Sequence, residues 1–276
     1  MNRRLLVGIG VVAAIGYAAV RFGVTPRTDA WTLVAADADG ALLWANLSVN
    51  NTGLLDNQLT TRFVLLPAGP AVVEHRAQWA PATLGDDGGA ASGDSLVRAA
   101  DGWELRIGGE GLGARVQARG AAPACPPEVG QIAGVVEDRV DGRLVTGPGI
   151  VVRTRAEGHV TGTALYVLAS GFAAGIEPLS DCPAWVRAGD RTWTGTASDF
   201  PIARDTALTL GDWTLTFRSA GDVVSHDGWA HALGAERASA WVFGFRPPIT
   251  DARRAVVRVD GPGIATFAPA MLLERR

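Results

Sequence analysis

The feature that most constrains the fold of this chain is a repeated turn signal. Six Asp-Gly dipeptides recur along the 276 residues, at positions 39–40, 87–88, 101–102, 141–142, 227–228 and 260–261. Asp followed by Gly tolerates the positive φ angles that a two-residue type I′ hairpin turn requires. Because short apolar-alternating segments flank most of these pairs, the sequence predicts an all-β protein built from antiparallel hairpins.

One of the six pairs lies in a stretch of different composition. Residues 84–95 are rich in Gly, Asp and Ala. This composition predicts a flexible loop around Asp87-Gly88 rather than a tight turn.

Bulky apolar side chains occupy every second position in two segments near the end of the chain. The segments are Trp-Thr-Leu-Thr-Phe at residues 213–217 and Trp-Val-Phe-Gly-Phe at residues 241–245. Each places its bulky residues on one face of a strand. Such stripes can fill the core of a β-sandwich or line the cavity of a β-barrel, and the pattern alone leaves both architectures open.

A Pro-rich stretch divides the β pattern into two parts. Residues 123–130 contain three Pro and predict a linker between a first β domain, residues 27–122, and a second one, residues 131–276. Residues 1–26 precede both domains. They carry two Arg near the start, at positions 3 and 4, and continue as an apolar helical segment, which predicts either an uncleaved membrane anchor or a cleaved signal peptide. We therefore expect the β domains to be exported, to the periplasm or tethered to the inner membrane of a bacterium.

Charge and composition exclude several function classes. The net charge of −3 supplies no basic field for a nucleic-acid partner. All 25 basic residues are Arg, so Schiff-base, pyridoxal and P-loop chemistry lack their Lys. No spacing typical of a metal site is present, and we expect no cofactor and no metal.

Two Cys occur in this exported context, Cys125 and Cys182. An even count in an oxidising compartment favours one disulfide, with two separate thiols as the alternative.

Candidate acid–base residues are few. The segment from His226 to His231 is the densest polar cluster, and it includes Asp227. An odd separation of five places the two His on opposite faces of a strand, which disfavours a shared metal. His226, Asp227 and His159 are therefore weak candidates for proton transfer. Four carboxylates in a loop-rich region could act as an acid if one of them is buried: Glu177, Asp181, Asp199 and Asp205.

A longer pattern lies in the second half of the chain. The run Gly-Thr-Ala-Leu-Tyr-Val-Leu-Ala-Ser-Gly at residues 162–171, followed by Pro178 and Trp185, resembles a tandem lipocalin-like superfamily. That group includes carotenoid 1,2-hydratases (hydroxyneurosporene synthases), exported AttH-like proteins and fungal survival factors that carry ceramide. The resemblance implies two β-barrels side by side, with an apolar ligand held in or between them. It carries over no catalytic residue, because no matched position holds an unambiguous acid or His.

These observations favour a binding protein for a lipid, an isoprenoid or another apolar small molecule at the cell envelope. One alternative is a cofactor-free hydratase, isomerase or cyclase on an apolar substrate. Another is a structural module that binds a protein partner of the envelope. The residues expected to line the ligand are Tyr166, Trp213, Phe217, Trp241, Phe243 and Phe245.

Overall fold

The computed structural model describes most of the chain after its N-terminal segment. The described residues are 12–14, 16, 27–51, 58–66, 72–79, 84–91, 93–108, 113–136, 145–157, 162–197, 205–224 and 250–275. Residues 12–14 and 16 are helical. No helix in this part of the chain has the length and apolar character needed to cross a membrane.

Within the described residues, ten strands form a first antiparallel sheet. They are β1 (Arg27–Ala36), β2 (Leu42–Asn51), β3 (Gln58–Leu66), β4 (Val72–Trp79), β5 (Gly88–Ala91), β6 (Asp94–Ala99), β7 (Gly102–Ile107), β8 (Ala114–Arg119), β9 (Gly130–Val136) and β10 (Val145–Glu157). The strand order is β4-β3-β2-β1-β10-β9-β8-β7-β6-β5. The sheet is a meander that is closed in the middle by β10, which returns to pair with β1.

Eight further strands of the described chain form a second antiparallel sheet. They are β11 (Gly162–Ala169), β12 (Phe172–Ile176), β13 (Ala184–Ala188), β14 (Arg191–Gly195), β15 (Ala207–Leu210), β16 (Trp213–Val224), β17 (Thr250–Gly261) and β18 (Ile264–Arg275). The order is β14-β13-β12-β11-β18-β17-β16-β15, and the two edge strands β14 and β15 contact each other. One sheet is thus a half-barrel and the other a nearly closed barrel, which confirms the all-β prediction with two lipocalin-like barrels.

Asp-Gly pairs lie in turns or at strand ends wherever the structure describes them. Gly40 has φ 74° in the turn between β1 and β2, and the amide of Ala41 donates to Oδ1 of Asp37 at 2.6 Å. Asp101-Gly102 joins β6 to β7, and Gly261 ends β17. The pairs at 141–142 and 227–228 lie outside the described residues.

The prediction of a loose loop around Asp87-Gly88 is wrong. The amides and carbonyls of Gly85 and Gly88 bond to each other, at 2.9 and 3.2 Å, which makes a tight turn. Gly88 has φ 97° and starts β5 directly after this turn. Glycine supplies the positive φ without steric cost, so the composition marks a turn here rather than flexibility.

The Pro-rich stretch does not separate the two sheets. Residues 123–130 lie between β8 and β9, which are neighbours in the first sheet with Arg119 opposite Gln131. The chain passes to the second sheet only between Glu157 and Gly162. The division at 122 and 131 expected from composition therefore does not coincide with the division between the sheets.

Three apolar clusters hold this arrangement. One lies inside the first sheet, where the rings of Trp31 and Trp103 stand 4.3 Å apart. The second lies inside the second sheet and includes Trp213 and Phe217. The third is a layer in which the outer faces of the two sheets pack against each other, hereafter the inter-sheet layer. The second sheet is therefore apolar on both faces, because one face lines its barrel and the other faces the first sheet.

Candidate functional site

The inter-sheet layer contains a fully buried phenol, that of Tyr166. On β11, Leu165 and Val167 point into the second barrel, whereas Tyr166 between them points into the layer. This follows from the two-residue period of a strand, which sends successive side chains to opposite faces. Tyr166 therefore stands among aliphatic side chains from both sheets, where a phenol needs a partner.

Tyr166 finds its partner in a buried ion pair. Its hydroxyl donates to Oε2 of Glu177 at 2.7 Å. Both terminal nitrogens of Arg275 donate to the same carboxylate, at 2.7 and 2.6 Å. The Glu177 side chain is fully buried and that of Arg275 is 10% exposed. A paired, hydrogen-bonded geometry of this kind is what allows two charges to stay inside a protein.

Burial and charge set the protonation of this network. Burial, followed by the negative charge of Glu177, raises the pKa of Tyr166 well above its ordinary value. Burial of the Arg275 guanidinium lowers its pKa. The charge and hydrogen bonds of the Glu177 carboxylate together raise this pKa by more, so the net pKa of Arg275 is raised. The phenol is thus held as a neutral hydrogen-bond donor beside a charged pair.

Tyr166 is expected to resist alkaline titration. The chain has two Tyr, so the ultraviolet difference between the wild type and Tyr166→Phe isolates the Tyr166 phenolate. Since the folded pKa is raised, the unfolded chain ionises first, and the stability contributed by this group is complete below pH 10 and is lost as the pH rises further. We expect no Tyr166 phenolate signal until the protein unfolds. A signal at about pH 10 in the folded protein, the ordinary tyrosine value, would contradict the burial of this phenol.

Trp185 covers the strand next to Tyr166. Across the sheet, Gly175 of β12 is paired with Tyr166 on one side and with Trp185 on the other. A Cβ at Gly175 would stand 2.6 Å from three ring atoms of Trp185, Nε1 among them. The absence of a side chain at Gly175 is therefore what lets the Trp185 indole lie over β12, on the side of the sheet that carries Tyr166.

Two indole N–H groups in the inter-sheet layer have no hydrogen-bond partner among the described residues. They belong to Trp185 and, on the first sheet, to Trp44. Both side chains are buried to within 2% of complete. An unpaired buried donor costs about 1–3 kcal/mol, so such groups are rare and call for an explanation.

Comparison with known proteins places this geometry in a known fold. No protein-family model matches the sequence, and no curated protein does so. Among solved structures, an AttH-like protein of Nitrosomonas europaea superposes with a TM-score of 0.57 and 15% identity, over 91% of this chain and 92% of the other. CghA bound to Sch210972 gives 0.53 and 12%, over 91% and 88%. Kievitone hydratase of Nectria haematococca gives 0.50 and 6%, over 89% and 87%.

The chain has the tandem lipocalin-like fold. At these identities the likeness concerns the fold alone, and it agrees with the resemblance found in residues 162–171.

Within the tandem lipocalin-like fold, the predicted ligand-lining residues do not share one site. Trp213 and Phe217 lie inside the second barrel, whereas Tyr166 lies on the opposite face of the same sheet. The indole N–H of Trp213 also lacks a partner among the described residues. The remaining candidates lie outside the described part of the chain: Trp241, Phe243, Phe245, His159, His226 and Asp227.

Sequence reasoning found only part of the network around Tyr166. It named Glu177 among four carboxylates but could not choose between them. It did not find Arg275, the penultimate residue of the sequence, which has no motif around it. The structure also pairs Cys125 with Cys182 in a disulfide.

Proposed function

We propose that this protein binds a small apolar molecule that carries a hydrogen-bond acceptor, at the inter-sheet layer. The observation that carries the proposal is a pair of buried, unpaired indole donors in an otherwise aliphatic surrounding, those of Trp44 and Trp185, beside the hydrogen bond from Tyr166 to Glu177. Ligand sites for small molecules are mostly apolar and use a few placed polar groups to orient the ligand. An acceptor atom on the ligand would satisfy an indole N–H that the described chain leaves unpaired.

The solved structures with this fold support a small-molecule role. CghA is seen with bound Sch210972, and another neighbour is named a hydratase. The apolar segment predicted in residues 1–26 would place such a binding protein at the cell envelope, where lipids and isoprenoids are present.

A second candidate function is proton-transfer catalysis on such a ligand, as in a hydratase, isomerase or cyclase. The observation that favours it is the phenol of Tyr166, held neutral by its surroundings and hydrogen-bonded to a carboxylate. A neutral phenol beside Glu177 can act as a general acid toward an oxygen or a carbon–carbon double bond of a bound molecule and take back the proton that this molecule releases. The two candidates differ only in whether the bound molecule is changed.

Farnesol and farnesene make a pair of probes with the same isoprenoid skeleton; farnesene lacks the hydroxyl group and has one more double bond. We expect farnesol to bind the wild type about tenfold more tightly than farnesene, since one hydrogen bond is worth about 1 kcal/mol or more. In Trp185→Phe and Trp44→Phe, which keep a ring but lose the donor, this preference is expected to shrink. Intrinsic fluorescence quenching and native mass spectrometry of the purified protein measure both affinities.

The matched control is Trp103→Phe, which removes an indole from the cluster inside the first sheet. It should leave the preference for farnesol unchanged. No binding of either probe, or an equal effect of all three substitutions, would argue against the inter-sheet layer as the site. Mass spectrometry of the extracted farnesol separates the two candidate functions. Farnesol recovered unchanged supports binding. A hydrated or rearranged product supports catalysis if Tyr166→Phe no longer forms it.

A further inference from the structure

One short segment links the buried ion pair to the first sheet. Residues 177–183, hereafter the β12–β13 connection, begin with Glu177 and include Cys182. The amide of Glu177 donates to the carbonyl of Pro183 at 2.8 Å, and the amide of Ser180 donates to the carbonyl of Glu177 at 3.0 Å. The amide of Cys182 donates to the Ser180 hydroxyl at 3.2 Å. These bonds tie both ends of the connection together, so that it can shift only as one unit.

The same connection docks on β10 of the first sheet. The amide of Arg155 donates to the carbonyl of Leu179 at 3.0 Å, and Thr154 and Ser180 form an isolated antiparallel bridge. These two backbone contacts alone hold the connection only weakly against the first sheet, although the connection carries the buried carboxylate of Glu177. A stronger link between the sheets comes from the disulfide.

The disulfide joins the β12–β13 connection to the loop between β8 and β9. Cys182 is buried, whereas Cys125 is exposed. A cleft of about 90 Å³ is lined by both Cys, and Asp181 and Arg153 stand at its wall. Arg187 of β13 donates to the carbonyls of Pro126 and Pro127, at 3.2 Å each, and holds the loop beside the bond. The bond is therefore open to a thiol from the Cys125 side.

We propose that the Cys125–Cys182 disulfide is a redox-sensitive clamp on the buried Tyr166–Glu177–Arg275 network. The reductant is a dithiol, either a small molecule or a protein. Its thiolate attacks Sγ of the exposed residue Cys125 and forms a mixed disulfide, while Cys182 leaves as a thiolate and takes up a proton. The second thiol of the reductant then attacks the mixed disulfide. Cys125 is released as a thiol, the reductant becomes a disulfide, and two electrons have passed to the protein.

Reduction acts on Glu177 through the backbone of the connection. Without the bond, the contacts of Leu179 and Ser180 with β10 still attach the connection to the first sheet, and Arg187 of β13 still donates to the loop between β8 and β9. Its hydrogen bonds make Glu177 and Cys182 parts of one unit, so freedom gained at Cys182 reaches the carboxylate five residues earlier. The bond between Cys125 and Cys182 thus regulates the geometry of the network to which the proposed binding function is assigned, and this inference rests on that function only for its consequence.

Amide hydrogen exchange tests the clamp without any ligand. In oxidised protein treated with dithiothreitol, we expect the amides of Arg155 and Glu177 to lose protection roughly tenfold or more, as local opening becomes easier. The amide of Leu215, in β16 and far along the sheet, is the internal control and should not change. A maleimide mass shift reports the thiols, and exposed Cys125 should be alkylated before buried Cys182.

The variant Cys125→Ser with Cys182→Ser is the matched control. It should show the loosened state of Arg155 and Glu177 from the start and should not respond to dithiothreitol. Unchanged exchange at Arg155 and Glu177 after full reduction would overturn the clamp. An equal loss of protection at Leu215 would also overturn it, because the disulfide would then stabilise the whole protein and not this segment in particular. Failure of farnesol to bind would remove the proposed function and leave the exchange result standing.

Discussion

Replacing Glu177 by Gln is expected to lower the free energy of unfolding by about 3–5 kcal/mol at neutral pH, because it leaves a buried guanidinium without its counter-charge. Arg275 is held by two bonds of 2.7 and 2.6 Å to this carboxylate, inside a layer that is otherwise aliphatic. The amide of Gln keeps the shape of the side chain, so the loss comes from charge and not from volume. Urea unfolding followed by tryptophan fluorescence measures it.

A double variant separates the pair from its surroundings. Glu177→Gln with Arg275→Met removes both charges, and we expect its loss to be much smaller than that of Glu177→Gln alone, since a buried ion pair is itself worth little net stability. Glu157→Gln is the matched control. It breaks the ion pair of Glu157 with Arg27 between side chains that are 68% and 69% exposed. Such a pair contributes about 0–1 kcal/mol.

An equal, small loss in Glu177→Gln and Glu157→Gln would show that the network around Tyr166 is hydrated in solution. A hydrated layer would not hold the Tyr166 phenol in its neutral form, and the candidate site would then be wrongly assigned. A large loss that the double variant does not reduce would place the role of Glu177 in its bond to Tyr166 rather than in charge pairing.

The sequence predicted the strands because turn chemistry and alternation are local. Asp-Gly at 39–40 and 101–102 requires the backbone of a turn whatever surrounds it, and the strands on either side follow. Alternation was less informative on β11, where Leu165, Tyr166 and Val167 are all apolar or aromatic. A strand buried on both faces has no polar side, so the pattern cannot say which residues enter the barrel and which meet the other sheet.

The polar site escaped prediction for a different reason. Glu177 and Arg275 are 98 residues apart and meet only because β12 and β18 both pair with β11. Nothing local marks Arg275, and the carboxylate of Glu177 resembles three others in the sequence until the sheet order is known. Contacts of this length depend on topology, which turn signals do not determine.

Long-range pairing also decided the course of β10. Gly147-Pro148-Gly149 has the composition of a break between strands, yet the structure carries one strand from Val145 to Glu157 through it. Pro148 is paired with Gln131 and Gly149 with both Gly130 and Ala35. Glycines here let β10 leave its pairing with β9 and pass beneath the end of β1, which is the role of glycine at the corners of curved sheets.

Gly147→Ala is therefore expected to destabilise the protein by about 3 kcal/mol or more. A Cβ at Gly147 would collide with the carbonyl oxygen of Ala36 and would stand 2.8 Å from its carbonyl carbon and 3.0 Å from Cα of Asp37. All three atoms are backbone, so relief requires β1 and β10 to move apart where the half-barrel turns. Because the strain is in the corner itself, the loss should appear as a lower midpoint of urea unfolding with reduced exchange protection along β1.

Gly134→Ala supplies the comparison on the neighbouring strand. The added Cβ there meets Cδ2 of Leu43 at 2.6 Å, the far end of a flexible side chain that can rotate away. We expect a loss of about 1 kcal/mol, with β1 unaffected. If Gly147→Ala proves no worse than Gly134→Ala, the end of β1 does not lie over β10 in solution. The half-barrel would then turn at another residue, and the register that carries Trp31, Val34 and Ala36 to their clusters would have to be redrawn.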